Sequence, residues 1–277
     1  SFDGFETRVR EGLETIGAGD GRALVVTSGG VIGMAMRITL EVCVDTPEGF
    51  EAAVAGGADR IELCAALDLG GLTPSPGLMA LAAKASTPVY AMIRPRAGDF
   101  VFGLGDEAAM LGDIDAVRSA GLAGVVIGAN LADGRLDVAL LERLMRHADG
   151  LGVTLHRAFD LVPDPVEALD VAMTLGVERI LTSGLVPRAI DGVNLLKQLV
   201  DQAGTRLSIM PGSGVTPANV VELLNCTGAR EVHGSCRAVL KRGDGRAVEF
   251  GFQANQSYRT SEVIVREMRT ILDGVGS

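Results

Sequence analysis

Apolar and polar positions follow two alternating patterns along the chain from Arg37 onward. Short runs rich in Val, Ile and Leu have the length and composition of buried strands. The stretches between them carry apolar residues at spacings of three and four, as at Val220, Leu223 and Leu224, which is typical of helices. The pattern predicts strands at residues 39–44, 60–64, 89–94, 124–128, 153–156, 179–182, 206–210 and 231–233.

Glycines mark the expected helix ends, and capping residues before proline mark the expected helix starts. Four glycines precede a predicted strand at a constant offset, as helix ends in left-handed conformation do: Gly57, Gly121, Gly176 and Gly228. Four dipeptides place a capping side chain before a proline: Thr46-Pro47, Thr73-Pro74, Asp164-Pro165 and Thr216-Pro217. Each dipeptide predicts the start of a helix.

The regular alternation of strand and helix decides the predicted fold. Eight strands in βα alternation predict a (β/α)8 TIM-type barrel, in the α/β class, over residues 37–277. The alternative is an open doubly wound sheet. A chain of 277 residues, 47% of them hydrophobic, is large enough for one such core. Barrels of this kind place their active site at the carboxyl ends of the strands, so the chemistry is expected there.

Residues 1–36 do not continue the alternation. Residues 5–16 are predicted to form a helix and residues 23–28 a strand, followed by Gly29-Gly30. This segment resembles the tail of a histidine-phosphatase domain, but the Arg-His-Gly that such enzymes carry near their start is absent, so no phosphatase activity is inferred. We expect an extension left by an upstream coding fragment or a misplaced start, with Met34 or Met36 as the true start, and not an independent domain.

Charge and composition narrow the classes of partner and the compartment. A formal net charge of −10 and a pI near 4.8 argue against binding to nucleic acid or to an anionic membrane surface. No apolar run approaches the ~20 residues of a membrane span, and residues 1–14 lack the pattern of a signal peptide. Four cysteines without dense spacing indicate reduced thiols, so we expect a cytoplasmic protein.

Paired acidic residues and thiols stand at the ends of the first two barrel strands. Glu41 and Cys43 are two residues apart, as are Glu62 and Cys64, so each pair points to one face of its strand. Because the two strands are expected to be parallel neighbours, the four side chains should converge. Burying carboxylates is costly unless something pairs with them. The pairs therefore predict a functional site.

Three further strand-end residues complete the acid and base candidates. By the same alternation, Arg94, His156 and His233 face the barrel mouth together with Glu41 and Glu62. A lone histidine in a core is commonly a satisfied structural residue. Two of the three histidines at one rim with an arginine and two glutamates favour catalysis.

Glycine-rich turns follow the seventh and eighth strands. Gly212, Ser213 and Gly214 follow the seventh, and Gly234 and Ser235 follow the eighth. Turns of this kind expose backbone N–H groups, which is the usual phosphate or carboxylate cradle of such barrels. The alternative is a pair of tight turns without a ligand. The sequence predicts an anion-binding site here.

The cysteine pair allows three interpretations. Cys43 and Cys64 on neighbouring strands could share one soft metal ion, and two thiolates with Met92 or Met210 nearby suit Cu(I). They could equally be small buried hydrophobic residues. A disulfide is the third alternative, and a reducing compartment disfavours it.

Residues 37–277 resemble the CutC family, whose members are called copper homeostasis proteins. The resemblance rests on motifs in the family's order, among them Glu41-Val42-Cys43, Ile61-Glu62-Leu63-Cys64, Met92-Ile93-Arg94-Pro95-Arg96, His156-Arg157-Ala158-Phe159-Asp160 and Met210-Pro211-Gly212. It implies a TIM-type barrel, a cytoplasmic location, homo-oligomers and Cu(I) binding at Cys43 and Cys64. Ala97 and Ser213 stand where the family more often has glycine, and Cys236 stands where alanine is expected.

Two functions follow from these observations. The first is Cu(I) binding in copper homeostasis, with Cys43 and Cys64 as thiolate ligands. The second is acid–base chemistry of the isomerase or lyase type on a small anionic or phosphorylated metabolite. In that case the glycines of the last two loops would hold the anion, and Arg94 would clamp a carbonyl or carboxylate. The sequence does not choose the substrate.

Overall fold

The computed structural model describes residues 22–27, 30–242, 245–252 and 254–275, with side chains from residue 37 onward except at 241–242. The helix predicted at residues 5–16 lies outside the described residues. The strand predicted at residues 23–28 is observed at Arg22–Thr27, where it pairs antiparallel with Gly30–Met36. This hairpin precedes the barrel and is not part of its sheet.

Eight parallel strands form the barrel. They are β1 (Thr39–Val44), β2 (Arg60–Leu63), β3 (Val89–Met92), β4 (Gly124–Ile127), β5 (Gly152–Leu155), β6 (Arg179–Thr182), β7 (Ser208–Pro211) and β8 (Glu231–Gly234). Consecutive strands pair from β1 to β7, and β8 pairs in parallel with β1. β7 and β8 lie side by side but share no hydrogen-bond ladder in the described structure. The ring is nearly closed, and the predicted TIM-type barrel is confirmed.

The strands lie close to their predicted bounds, and the differences have local causes. β3 ends at Met92 and not at Arg94, whose N–H donates to the Thr73 hydroxyl at 3.0 Å. β7 starts at Ser208 because the Arg206 N–H turns back to the carbonyl of Ala203 at 3.0 Å. The residues beyond each strand are therefore already part of a loop.

In the part of the chain that the structure describes, eight helices cover the outside of the barrel. They are α1 (Pro47–Gly56), α2 (Pro76–Ala82), α3 (Leu104–Ala120), α4 (Val138–His147), α5 (Pro165–Leu175), α6 (Val193–Ala203), α7 (Val220–Thr227) and α8 (Glu262–Val275). Short 3-10 turns occupy the loops at Leu67–Leu69, Arg157–Leu161 and Ala189–Gly192. α8 packs against α1 and α7, so it completes the ring of helices.

Two of the four predicted helix starts are confirmed and two are wrong. Thr46 caps α1 and Asp164 caps α5, each through a side-chain oxygen that accepts a backbone N–H. Thr73 does not start a helix, because Ser75 caps α2 and Pro76 is its first residue. Thr216 does not start one either.

The Thr216 N–H donates to the Asn219 side chain at 2.9 Å. This hydrogen bond holds a turn, so α7 starts only at Val220. All four predicted glycine ends are confirmed by positive φ angles, at Gly57, Gly121, Gly176 and Gly228.

Apolar packing between strands and helices surrounds a barrel interior of different character. The main core joins β-strand residues such as Leu40 and Ile61 with helix residues such as Ile114 and Leu196. Inside the barrel, a separate small cluster contains Cys64, Tyr90, Met92 and Val126. Buried charged side chains share this interior, and they position the site described below.

Two glycines make room for the Tyr90 ring inside the barrel. A Cβ atom on Gly124 would lie 2.4 Å from the ring, and one on Gly152 would lie 2.2 Å from the Tyr90 hydroxyl. Strands β4 and β5 therefore approach the ring with backbone alone, which places Tyr90 beside the charged residues of the interior.

A two-stranded ribbon separates β8 from α8. Arg237–Arg242 pairs antiparallel with Gln256–Thr260, and a single helical turn, Arg246–Glu249, lies between them. Phe250 and Phe252 stack beside this turn and are exposed. Among the described helices, none combines the length and the apolar character that crossing a bilayer requires.

Candidate functional site

An ionic layer fills the barrel interior beneath the site. Arg60 on β2 pairs with the buried carboxylate of Glu41 on β1 at 2.5 Å and also with Glu231 on β8. Arg179 on β6 pairs with the same Glu231 at 3.1 Å. Both guanidinium groups lie over the Tyr90 ring, 5.6 and 4.9 Å from its centroid. Each buried charge therefore has an opposite charge beside it, which offsets the cost of burial.

His233 lies between the two glutamates that the sequence selected. Its Nδ1 is 2.8 Å from Glu41 Oε1, and its Nε2 is 3.8 Å from Glu62 Oε2. Burial alone would raise the pKa of Glu41, but Arg60 and His233 outweigh burial and lower the pKa to about 2. Burial disfavours the charged form of His233, but Cys43, Glu62 and Glu41 outweigh it and raise the pKa of His233 well above its usual value. His233 is therefore an imidazolium held by an ionised Glu41.

Glu62 differs from Glu41 in its environment. Burial raises the pKa of Glu62 against the opposing charge of His233. Oε2 of Glu62 accepts a weak hydrogen bond from the Cys64 thiol at 3.5 Å, and Oε1 has no partner among the described residues. A buried carboxyl oxygen without a partner is costly in a purely structural residue. Glu62 is therefore the carboxyl group that is free to exchange a proton.

The thiols do not occupy equivalent positions. The donor atoms of Cys43, Glu62 and His233 all lie within 4.8 Å of one another, as the ligands of one metal ion would, and Cys64 is outside this group. Burial, together with Glu62, raises the pKa of the Cys64 thiol well above its usual range. Burial and Cys43 raise the pKa of Cys236 to about 12. None of the four cysteines forms a disulfide.

A cavity of about 610 Å³ opens above these residues at the carboxyl ends of the strands. Cys43, Glu62 and His233 line it from the barrel, together with Arg157 from the loop after β5. Four of the five predicted anion-binding residues also line it: Ser213, Gly214, Gly234 and Ser235. The structure thus brings two of the five predicted acid and base residues, Glu62 and His233, into one cavity with the glycine-rich loops, whereas Glu41, Arg94 and His156 are not part of its lining.

The loop after β7 presents its backbone to the cavity. The Ser213 hydroxyl donates to the carbonyl of Pro187 at 2.7 Å, so it is already engaged. The N–H groups of Ser213, Gly214 and Val215 form no hydrogen bond with the described residues. Gly212 has a packing role, because a Cβ atom there would lie 2.4 Å from Leu181 and 3.2 Å from His233. An anion in this loop would therefore be bound by backbone N–H groups.

Arg94 holds loops together. Its guanidinium donates to the carbonyls of Leu69, Gly71 and Gly98 at 2.8 to 3.0 Å. No ion pair joins it to Glu41 or Glu62 in the described structure. The residue fixes the loops after β2 and β3 around the cavity.

His156 is buried beside Arg94 and away from the cavity lining. Its Nδ1 accepts the N–H of Ala158 at 3.1 Å, and its ring packs against Phe100 with 4.8 Å between centroids. Burial, and secondarily the charge of Arg94, lower the pKa of His156 to about 3. His156 is therefore neutral, with Nε2 protonated and without a partner among the described residues.

Comparison with known proteins agrees with the motifs of this site. A sequence profile of the CutC family matches residues 38–238. The chain belongs to the CutC family. A CutC family protein of Rhizobium meliloti strain 1021 is 58% identical over 237 residues, which cover 86% of this chain and 97% of the relative. A CutC family protein of Caulobacter vibrioides is 55% identical over 84% of this chain and 96% of the relative.

A solved structure supports the same assignment. The crystal structure of a protein from Streptococcus agalactiae, described as a copper homeostasis protein CutC, superposes with a TM-score of 0.69 at 31% identity. The match covers 72% of this chain and 98% of the other. The barrel described above is therefore the CutC family fold.

Sequence reasoning missed two arginines that the structure places in this CutC family site. Arg60 is two residues before Glu62 on β2, so the alternation of side chains along the strand predicts that it points inward. The sequence did not show that Arg60 is the partner of Glu41. Arg157 follows His156 in a CutC family motif and lines the cavity. A cation directly after a strand end is the signal that could have selected it.

Proposed function

We propose that the protein is an enzyme that transfers protons on a small anionic metabolite bound at the mouth of the barrel. The observation that carries this proposal is the arrangement of Glu62 in the cavity. It has a carboxyl oxygen without a partner among the described residues and a raised pKa, and it lies 3.8 Å from an imidazolium. A structural role leaves the unpartnered carboxyl oxygen unexplained, whereas a residue that transfers protons to a substrate needs an oxygen that no other protein group occupies.

The roles of the three residues follow from their charges. Glu62 as the carboxylate takes a proton from a carbon beside a substrate carbonyl and becomes the carboxylic acid. The imidazolium of His233 stabilises the negative charge that develops on the substrate oxygen. Glu41 stays ionised and fixes the ring of His233, as the third residue of a triad does. Glu62 then returns its proton to a neighbouring atom, which completes an isomerisation or releases a leaving group.

The remaining parts of the proposal concern the ligand and the setting. The backbone N–H groups of the loop after β7 support an anionic group at the far end of the substrate. We also propose a cytoplasmic homo-oligomer without nucleic-acid partners, in keeping with the acidic chain and the four free thiols.

Glu62→Gln is expected to reduce proton transfer by at least about 10²-fold while substrate binding remains, because an amide cannot carry the proton. A panel of small phosphorylated and carboxylated metabolites is first screened by thermal shift, since a ligand of the native state raises the melting temperature. Turnover of each binder, or exchange of its carbon-bound hydrogen in D2O, is then followed by NMR.

Glu222→Gln is the matched control, because Glu222 is exposed on α7 outside the cavity. It should exchange and bind as the wild type does. Exchange that persists at the wild-type rate in Glu62→Gln would reject the proposed role of Glu62.

The second candidate function is Cu(I) binding in copper homeostasis, which the description of the Streptococcus agalactiae relative suggests. Cys43 and His233 supply a thiol and an imidazole within 4.8 Å of each other. Cys64 and Met92 belong to one small buried cluster inside the barrel, so two further sulfur-bearing side chains lie in the same part of the interior. Soft donors of this kind suit Cu(I), whereas the carboxylate of Glu62 does not.

Under this second candidate, Cys43→Ser combined with Cys64→Ser is expected to weaken Cu(I) binding by at least about 100-fold, because both thiolates are lost. Competition titration with a Cu(I) chelator under reducing conditions measures the affinity. Cys226→Ser is the control, since Cys226 is exposed on α7. An unchanged affinity in the double variant rejects copper binding at this site.

A further inference from the structure

The cavity contains a cation that neither proposed function uses. Arg157 lines it together with Glu62 and the glycine-rich loops. Arg94, the cation that the sequence suggested for this purpose, is committed to three loop carbonyls. Arg237 also lines the cavity, but its guanidinium is engaged twice, with Asp68 at 3.2 Å and over the Tyr258 ring at 5.1 Å from the centroid. Arg157 is the remaining arginine of the lining, and its surroundings show how it is held.

Two hydrogen bonds fix one side of the Arg157 guanidinium. Nε donates to Asp160 Oδ2 at 2.7 Å, and Nη2 donates to the Ser183 hydroxyl at 2.8 Å. Nη1 forms no hydrogen bond with any residue that the structure describes. The side chain of Arg157 is 39% exposed although its anchors are buried. One edge of the guanidinium is thus anchored, and the other edge is available to a ligand.

Asp160, which holds this arginine, is itself fixed by several hydrogen bonds. Its Oδ1 accepts the Thr182 hydroxyl at 2.5 Å and the N–H groups of Ser183 and Leu185 at 3.0 and 3.2 Å. Its side chain is only 7% exposed. The hydrogen bonds join the 3-10 turn after β5 to the end of β6. Because Arg157 is ordered in advance, little side-chain entropy remains to be lost when a ligand binds.

We propose that Arg157 binds the oxyanion end of the ligand, a phosphate monoester or a carboxylate, opposite the loops after β7 and β8. A guanidinium with free N–H groups matches either group with two parallel hydrogen bonds. The N–H groups of Ser213 and Gly214 would bind the same anion from the other side. This inference deepens the proposed function: it assigns the anionic end of the substrate to Arg157 and leaves the reacting end to Glu62.

Inorganic phosphate and acetate are the two probes, each titrated into the full chain by isothermal calorimetry. Wild type is expected to bind at least one of them, and the better binder identifies the oxyanion as phosphate-like or carboxylate-like. Arg157→Gln is expected to weaken that binding about 10-fold or more, since a charge-assisted bidentate contact is lost. Arg157→Lys keeps the charge and the partner for Asp160, and it should weaken binding by an intermediate factor.

Arg143→Gln is the matched control. Arg143 has a similar exposure of 43%, but it lies on α4 outside the cavity and pairs with Glu107 on α3. The affinity of the Arg143→Gln variant for the probe should equal that of wild type. Circular dichroism of each variant confirms that the barrel is folded, and Arg157→Lys remains informative if Arg157→Gln is not.

The outcomes separate this inference from the proposed function. Binding that is unaffected by both Arg157 variants, or no binding of either probe to wild type at concentrations up to about 20 mM, overturns the assignment of Arg157. Binding that depends on Arg157, with Glu62→Gln binding the probe as wild type does, supports it. That result stands even where Glu62→Gln leaves proton exchange intact, in which case only the catalytic proposal fails.

Discussion

Arg60→Met is expected to lower the free energy of unfolding by about 3–5 kcal/mol. The change leaves Glu41 fully buried and Glu231 largely buried without the guanidinium that bridges them. Methionine replaces the volume of the side chain but not its charge. Urea denaturation at pH 7, followed by circular dichroism, measures the loss.

Two variants test whether the loss comes from uncompensated charge. Glu41→Gln in the Arg60→Met background is expected to recover part of the stability, since it removes a fully buried carboxylate that has lost its arginine partner. Arg143→Met removes the exposed partner of Glu107 and should cost no more than about 1 kcal/mol. A cost below 1 kcal/mol for Arg60→Met would contradict the account of the ionic layer.

The second large effect is a loss of stability in mild acid that is caused by His156. The pKa of His156 falls from 6.5 to about 3 in the folded protein. Between pH 6.5 and pH 3, His156 is therefore protonated in the unfolded chain but not in the folded chain. The stability is complete above pH 6.5 and declines as the pH falls toward 3. At about 1.4 kcal/mol per pH unit, the decline reaches about 4 kcal/mol at pH 3.

His156→Gln separates this contribution from that of the carboxylates. Glutamine can accept the N–H of Ala158 but does not titrate, so the slope of stability against pH should be shallower by about 1 kcal/mol per unit between pH 6 and 4. Glu41, whose pKa is about 2, loses its contribution mainly below pH 4.5, in the same direction. Unfolding free energies at half-unit intervals give both slopes. Parallel profiles for wild type and His156→Gln would show that His156 is protonated in the fold.

The fold was predictable because it depends on repeated local signals. The spacing of apolar residues, the capping residues and the left-handed glycines predicted eight strands, each within two residues of its observed bounds. The helix starts at Thr73 and Thr216 were wrong because a residue a few positions later sets the start of the helix in each case. Ser75 precedes a proline that fits the first helical turn, and the Asn219 side chain closes a turn first. Choosing between two adjacent caps requires the geometry of the preceding loop.

The site was predictable to the extent that it depends on strand parity, the alternation of side chains between the two faces of a strand. Parity brought Glu41, Glu62 and His233 to one volume, and the structure places them there. Parity does not say where a long side chain ends. The Arg94 guanidinium is drawn to carbonyls of two loops whose path only the folded chain defines. In the same way, the anchoring of Arg157 depends on Asp160 and on the end of β6.

The missing ladder between β7 and β8 turns the barrel into a C-shaped sheet with two free edges, and the cavity lies over that gap. The loops that leave the two edges are the ones that carry Ser213 and Ser235. A ligand bonded to both loops would link the edges across the gap and complete the ring. Because both would depend on the same loop-to-loop distance, opening of the barrel at this gap would oppose such binding, and such binding would oppose the opening.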